Sequence, residues 1–187
     1  MSITLYKKGE STGSTFTQSE PNLVGAGREF TIANVTAGTW ILYTDINYNK
    51  EGNKEGKNQT FKIVHGDQKG VKIDSVNGSM FLVDEGLILF EHFGYGGDRK
   101  WFQDNQEDLT GLFPDPPKQS PKKSGVSSAI LLSKNRSVEL FTETYFGEKG
   151  DKYTLQPGEW CEMLKFSDKH QPGHNDKWLS LKFIYKA

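Results

Sequence analysis

One cysteine, Cys161, occurs in 187 residues, so no intrachain disulfide can form. The cross-linked frameworks of small secreted modules are thereby excluded. Net charge is equally scarce. A formal charge of −1 leaves no global field to recruit nucleic acid or an anionic membrane surface. No apolar run approaches the length of a transmembrane helix. The opening residues MSITLYKKGE contain no apolar signal core and no cleavage site, so a cytoplasmic protein is expected. Helical periodicity is missing too: apart from one candidate turn at 161–166 (CEMLKF), no stretch sustains the i, i+3, i+4, i+7 pattern. Proline is sparse, and four of seven fall within residues 103–125, which reads as a long surface loop.

What the chain does have is short apolar runs. ITLY, FTIANV, TWILY, TFKIV, MFLV, LILF, AILL, VELF and LKFIY are rich in β-branched and aromatic residues and are bounded by Gly, Asn, Asp, Ser or Pro. The fold class is therefore all-β. Four segments resemble one another: ITLYKKGESTGSTF, WILYTDINYNKEG, LILFEHFGYGGDRKWF and VELFTETYFGEKGDKY. Their anchor aromatics are Tyr6, Tyr43, Phe90 and Phe141. Repeats of roughly 40 to 50 residues suit one four-stranded Greek key each. Four keys, paired, predict two β-sandwich domains, 1–84 and 86–187, parted at the polar interruption Asp84-Glu85.

The third repeat contains FEHFGYGG, residues 90–97. Three glycines in four positions exclude a helix, at about 1 kcal/mol each against alanine. A plain strand would place Phe90 and Tyr95 on opposite faces. The chain must bend between them, with Gly97 supplying a positive φ.

The pattern Phe90, Tyr95, Gly97 resembles the βγ-crystallin signature, in which a folded-over hairpin joins the first two strands of a Greek key. The other repeats match in part. Tyr43 and Tyr48 keep the aromatic spacing, but Lys50 stands at the glycine. Tyr6 and Gly13 are in register, but Ser11 replaces the second aromatic. Phe141 and Phe146 keep the spacing, with a glycine early, at Gly147. The run Lys123-Ser124-Gly125-Val126-Ser127-Ser128 resembles the family's calcium motif N/D-N/D-x-x-S/T-S with its acidic pair lost. Asn175-Asp176-Lys177-Trp178-Leu179-Ser180 keeps the acidic pair and loses the fifth-position hydroxyl. In the first domain only AGREFT and GVKIDS, at 26–31 and 70–75, are weak counterparts.

The resemblance implies a non-enzymatic structural protein. In that family two keys share a site, one giving a hydroxyl and the other an Asn or Asp side chain. Ser127 with Asp176, aided by oxygens near Asn175, would then hold one calcium ion, and the first domain none. A single carboxylate implies weak binding, since affinity follows ligand charge. A purely structural reading stands beside it: Ser127 and Ser128 would fix the folded hairpin, a role the resemblance implies for Ser128 in either case, and Asp176 would be a turn residue. The alternative function is a carbohydrate-, membrane- or protein-recognition module without calcium, using the Pro-rich loop and whichever of Trp40, Trp101, Trp160 and Trp178 are exposed. Domain pairing within the chain and homodimerisation are both compatible with the sequence.

No nucleophile elbow, phosphate loop or dinucleotide fingerprint occurs, so no enzyme is expected. His170 and His174 flank Pro172-Gly173 and cannot share a helix face as zinc ligands do. Cys161 has no activating neighbour in sequence. The sequons at Asn34, Asn58, Asn77 and Asn135 read as chance.

Overall fold

The structure is a computed structural model that describes residues 1–23, 29–50, 60–73, 78–113, 124–147, 149–162 and 178–185, with the backbone alone at Phe93 and 160–162. The protein is all-β. No helix among the described residues is long and apolar enough to cross a membrane. The chain divides into two compact units, Met1–Asp84 and Glu85–Ala187.

Unit 1 contains β1 (Ser2–Lys7), β2 (Ser14–Phe16), β3 (Phe30–Ala37), β4 (Thr39–Tyr43), β5 (Phe61–His65), β6 (Gln68–Lys72) and β7 (Ser79–Val83). They form two antiparallel sheets, ordered β2-β1-β3-β6 and β5-β4-β7. Unit 2 contains β8 (Gly86–Phe90), β9 (Arg99–Phe102), β10 (Ser128–Leu132), β11 (Arg136–Phe141), β12 (Lys152–Leu155), β13 (Trp160–Glu162) and β14 (Ser180–Tyr185). Its sheets are β13-β10-β8-β9 and β12-β11-β14. The four repeats alternate in an ordered way. The third strand of repeat two, β6, pairs with β3 of repeat one. Likewise β13 of repeat four pairs with β10 of repeat three. The reciprocal contributions are single bridges, Glu20 to Met80 beside β7 and Gln106 to Leu181 beside β14.

Every long apolar run in the sequence is a strand, because alternate residues can enter a core between two sheets. In unit 1 that core is Ile3, Leu5, Phe30, Ala33, Val35, Trp40, Leu42, Val64 and Met80, closed by Leu23 and Ile73. In unit 2 Leu87, Leu89, Ala129, Leu131, Val138, Leu140 and Leu181 pack around Trp178. The short strands β2, β6, β9, β12 and β13 were not legible as apolar runs. They lie at sheet edges, where one flank of the backbone has no neighbouring strand in the sheet. The helical turn expected at 161–166 is corrected at its start. Cys161 and Glu162 belong to β13, paired with Ala129 and Ser128, and the remainder lies outside the described residues.

Candidate functional site

Each of repeats two, three and four turns over at a short 3-10 segment: Ile46–Asn49, Phe93–Tyr95 and Thr144–Phe146. Two consecutive residues there are left-handed. They are Gly94 and Tyr95 (φ 66 and 55) and Tyr145 and Phe146 (55 and 56), while repeat two extends the run to three, Asn47, Tyr48 and Asn49 (54, 60 and 54). Each non-glycine residue in that region costs about 1–2 kcal/mol. The return is aromatic packing. The second aromatic meets the anchor at 6.0 Å for Tyr43–Tyr48, 5.6 Å for Phe90–Tyr95 and 5.8 Å for Phe141–Phe146, the first two edge-to-face. Gly97 has φ 77, as FEHFGYGG requires.

A serine from the last strand of each key, paired with the anchor strand, locks each hairpin. Ser79 Oγ donates to the Asp45 carbonyl at 2.6 Å and accepts the Tyr48 N–H at 2.9 Å. Ser180 Oγ donates to the Glu143 carbonyl at 2.6 Å and accepts the Phe146 N–H at 3.2 Å. Ser128 Oγ donates to the His92 carbonyl at 2.8 Å. All three serines are fully buried. Replacing any one by alanine strands buried main-chain groups, so each variant is expected to lose about 1–3 kcal/mol in urea unfolding. Equal midpoints for wild type and all three would contradict the lock.

Strand register identifies the glycines by position. In repeat three, Glu91 N–H bonds the Asp98 carbonyl, directly after Gly97. In repeat four, Thr142 N–H bonds the Asp151 carbonyl, directly after Gly150. Gly150, and not Gly147, therefore fills the place of Gly97, after two extra residues. A Cβ on Gly150 would strike Thr142 Oγ1 at 2.5 Å, and one on Gly97 would meet Glu91 Cβ at 3.0 Å. In repeat two the matching bond runs from Thr44 N–H to the Thr60 carbonyl. Lys50 is thus not at the glycine place. The count reaches residue 59, outside the described residues, after an insertion that carries a tandem NKEG, 49–52 and 53–56. Thr44 and Thr60 close the neck of that insertion through paired hydroxyls 2.7 Å apart, and Asn49 Nδ2 donates to the same Thr60 carbonyl.

Register also moves the unit 1 calcium-motif windows. Ser79 faces Tyr43 as Ser128 faces Phe90 and Ser180 faces Phe141. The window of repeat two therefore ends at Ser79, reading Asp74-Ser75-Val76-Asn77-Gly78-Ser79, not GVKIDS. In repeat one Ile32 faces Tyr6, so the window ends at Ile32 and its fifth position is Thr31. AGREFT is one residue early. Repeat one has lost both its second aromatic, at Ser11, and its locking serine, at Ile32, which is 38% exposed. Gly13 still packs on the anchor, since a Cβ there would lie 2.9 Å from the Tyr6 ring.

The serine pair of unit 2 divides its work. Ser128 is spent on the hairpin. Ser127 is buried, its N–H donates to the Phe90 carbonyl at 2.9 Å, and its hydroxyl bonds none of the described residues. Ser124 Oγ accepts the Val126 N–H, which ties it into a local turn. That turn passes through Gly125 at φ 72, where a Cβ would stand 2.5 Å from the Phe113 carbonyl. Asn175 and Asp176, with His170 and His174, lie outside the described residues. No group of three or more His, Cys, Asp or Glu that could hold a metal occurs among the described residues. Thr110, through its hydroxyl and its N–H, holds the exposed Asp108 carboxyl below its usual range.

The tryptophans separate. Trp40 and Trp178 are core. Trp101 is 50% exposed on edge strand β9, with its Nε1 donating to the Glu85 carbonyl. Of the features expected to serve recognition, Trp101 alone is described as an exposed indole. The Trp160 side chain and the prolines at 114, 116, 117 and 121 lie outside the described set.

No protein-family model matches the chain, and no curated protein matches it. Among solved structures it is similar to geodin, a βγ-crystallin from the sponge Geodia cydonium, at 20% identity and a TM-score of 0.69 over 98% of each chain. A structure concerned with evolution of the eye-lens βγ-crystallin domain fold matches 56% of this chain and 95% of its own, at 16% identity and a TM-score of 0.41. Taken with the strand exchange, the folded hairpins and their serine locks, the similarity to geodin shows that this chain has the βγ-crystallin fold.

Proposed function

We propose that the chain is a non-enzymatic structural protein whose second unit takes one weakly held calcium ion. The observation that carries the reading is the division of labour at 127–128. Ser128 and its counterparts Ser79 and Ser180 are consumed by the hairpins, whereas the Ser127 hydroxyl has no such employment. By the family rule its complement is the acidic pair of repeat four, Asn175-Asp176. Calcium takes six to eight oxygens, so main-chain carbonyls and water would complete the shell around one carboxylate. The opposite half would pair Leu179 with Lys123 or Ser124, and leucine offers no side-chain oxygen.

Unit 1 keeps the same half once its windows are read from strand register. By the same motif positions Thr31 would supply the fifth-position hydroxyl and Asp74 the carboxylate, while the other half would set Gly78, which has no side-chain oxygen, against positions 27 and 28. A second site there is an extension of the same reading, set beside the expectation of none in the first domain.

Thermal unfolding in EDTA and in millimolar calcium tests both. Ligand bound to the native state alone adds about 2.7 kcal/mol at one hundred times Kd. A calcium-dependent rise in Tm that Asp176→Ala or Ser127→Ala abolishes supports the unit 2 site. A rise that survives Asp176→Ala and disappears in Asp74→Ala moves the ion to unit 1. No rise in the wild type removes calcium and leaves a scaffold or recognition protein.

A further inference from the structure

Asn77-Gly78 is the one Asn-Gly pair in the chain. Such a pair carries its own chemistry. The main-chain nitrogen of the glycine attacks the side-chain carbonyl carbon of the asparagine. A carbon–nitrogen bond forms, the nitrogen gives up its proton and ammonia leaves. The resulting succinimide takes up water and opens to aspartate or isoaspartate. Water is the sole co-reactant, and glycine is permissive because it has no Cβ to obstruct the approach.

The nucleophile is therefore the nitrogen of residue 78, and its surroundings are described. Gly78 is buried. Its N–H donates to the Tyr43 carbonyl at 2.8 Å, and its own carbonyl accepts the Leu23 N–H at 2.8 Å. A Cβ on Gly78 would overlap the Thr44 carbonyl oxygen and stand 2.5 Å from the Asp45 carbonyl carbon, so the peptide is packed against the start of the second hairpin. The next residue is Ser79, held by its two hairpin bonds. Attack by the nitrogen requires it to give up the Tyr43 carbonyl and leave this packing.

We propose that the Asn77-Gly78 pair is a self-modification site governed by the Gly78 nitrogen: Asn77 itself lies outside the described residues, and it deamidates when the Gly78–Tyr43 bond opens and stays intact while that bond holds. The product makes the opening hard to reverse. Isoaspartate lengthens the main chain by one methylene and adds a carboxylate immediately before the Gly78 N–H, shifting Gly78 and Ser79 out of register with Tyr43 and Asp45.

The test is peptide mapping that separates asparagine, aspartate and isoaspartate at position 77, after warm incubation at mildly alkaline pH with and without urea. Local opening of a buried strand end is rare, so modification is expected to be at least about tenfold slower in the folded chain than in urea. Ser79→Ala, which loosens the lock, should speed the reaction in buffer and leave the rate in urea unchanged. Should that variant not fold, sub-denaturing urea applied to the wild type supplies the same perturbation. Equal rates with and without urea overturn the proposal. So does an unmodified Asn77 in urea, or a folded-state rate indifferent to both perturbations.

Discussion

Gly78→Ala is expected to destabilise the chain by about 3 kcal/mol or more, close to the upper range for a forced steric insertion. The cause is space alone. Gly78 is not among the positive-φ residues, so alanine could adopt its backbone angles. The added methyl has nowhere to go: the nearest atoms are main-chain atoms of Thr44 and Asp45, which cannot swing aside as a side-chain tip can. Relief requires β7 to move off the hairpin, and that breaks the Gly78–Tyr43 and Ser79–Asp45 bonds together. Urea unfolding compares Gly78→Ala with Gly66→Ala, where the added Cβ meets nothing within 4 Å. Gly66 has φ 65, so that control carries a conformational cost of about 1 kcal/mol without a clash. Similar losses for the two variants would mean that the space around Gly78 is not limiting.

Phe90→Ala should cost about 3–5 kcal/mol, the range for emptying a buried aromatic site. Phe90 is fully buried, and Tyr95 stands edge-on to it. Tyr95 holds a left-handed backbone that its own side chain disfavours, and the Phe90 ring is what makes that conformation worth keeping. Removing the ring therefore removes the reward and leaves the strain. Near-ultraviolet dichroism should lose the Tyr95 signal in the folded variant, and chemical unfolding should give the stability difference. A loss below about 1 kcal/mol would show that the cavity closes by collapse and that the hairpin does not depend on its anchor.

Much of this architecture was legible in residues. Strands whose side chains alternate into a core, such as TWILY and SAILL, announce themselves because burial forces apolar residues into register. The third hairpin was legible because FEHFGYGG shows every constraint of the bend at once. The second and fourth depart from their sequence pattern at one place each, for a single reason. Spacing counted along the chain puts the glycine at 50 and 147, whereas the fold sets its place from the far side of the ladder, at Thr60 and Asp151. Loop insertions change the first count and leave the second untouched. Ser79 was missed likewise, since an isolated serine after Asn-Gly carries no pattern until Tyr43 is found opposite it. The hairpin role of Ser128 was legible from the resemblance, and its bond to the His92 carbonyl is the structural form of that role.

The exchange of third strands between repeats bears on how each unit comes into being. Sheet β2-β1-β3-β6 lacks an edge until residue 72 has been made, and the Met80 partner of Glu20 arrives later still. Neither repeat of a unit owns a finished sheet, so a nascent chain cannot complete the first Greek key and then add the second. Contacts far apart in sequence must close together, which makes assembly slow relative to a helical domain of equal length. Until β7 joins β4 and β5, the sheet that covers the apolar faces of β1 and β3 is incomplete, and that interval exposes the chain to aggregation.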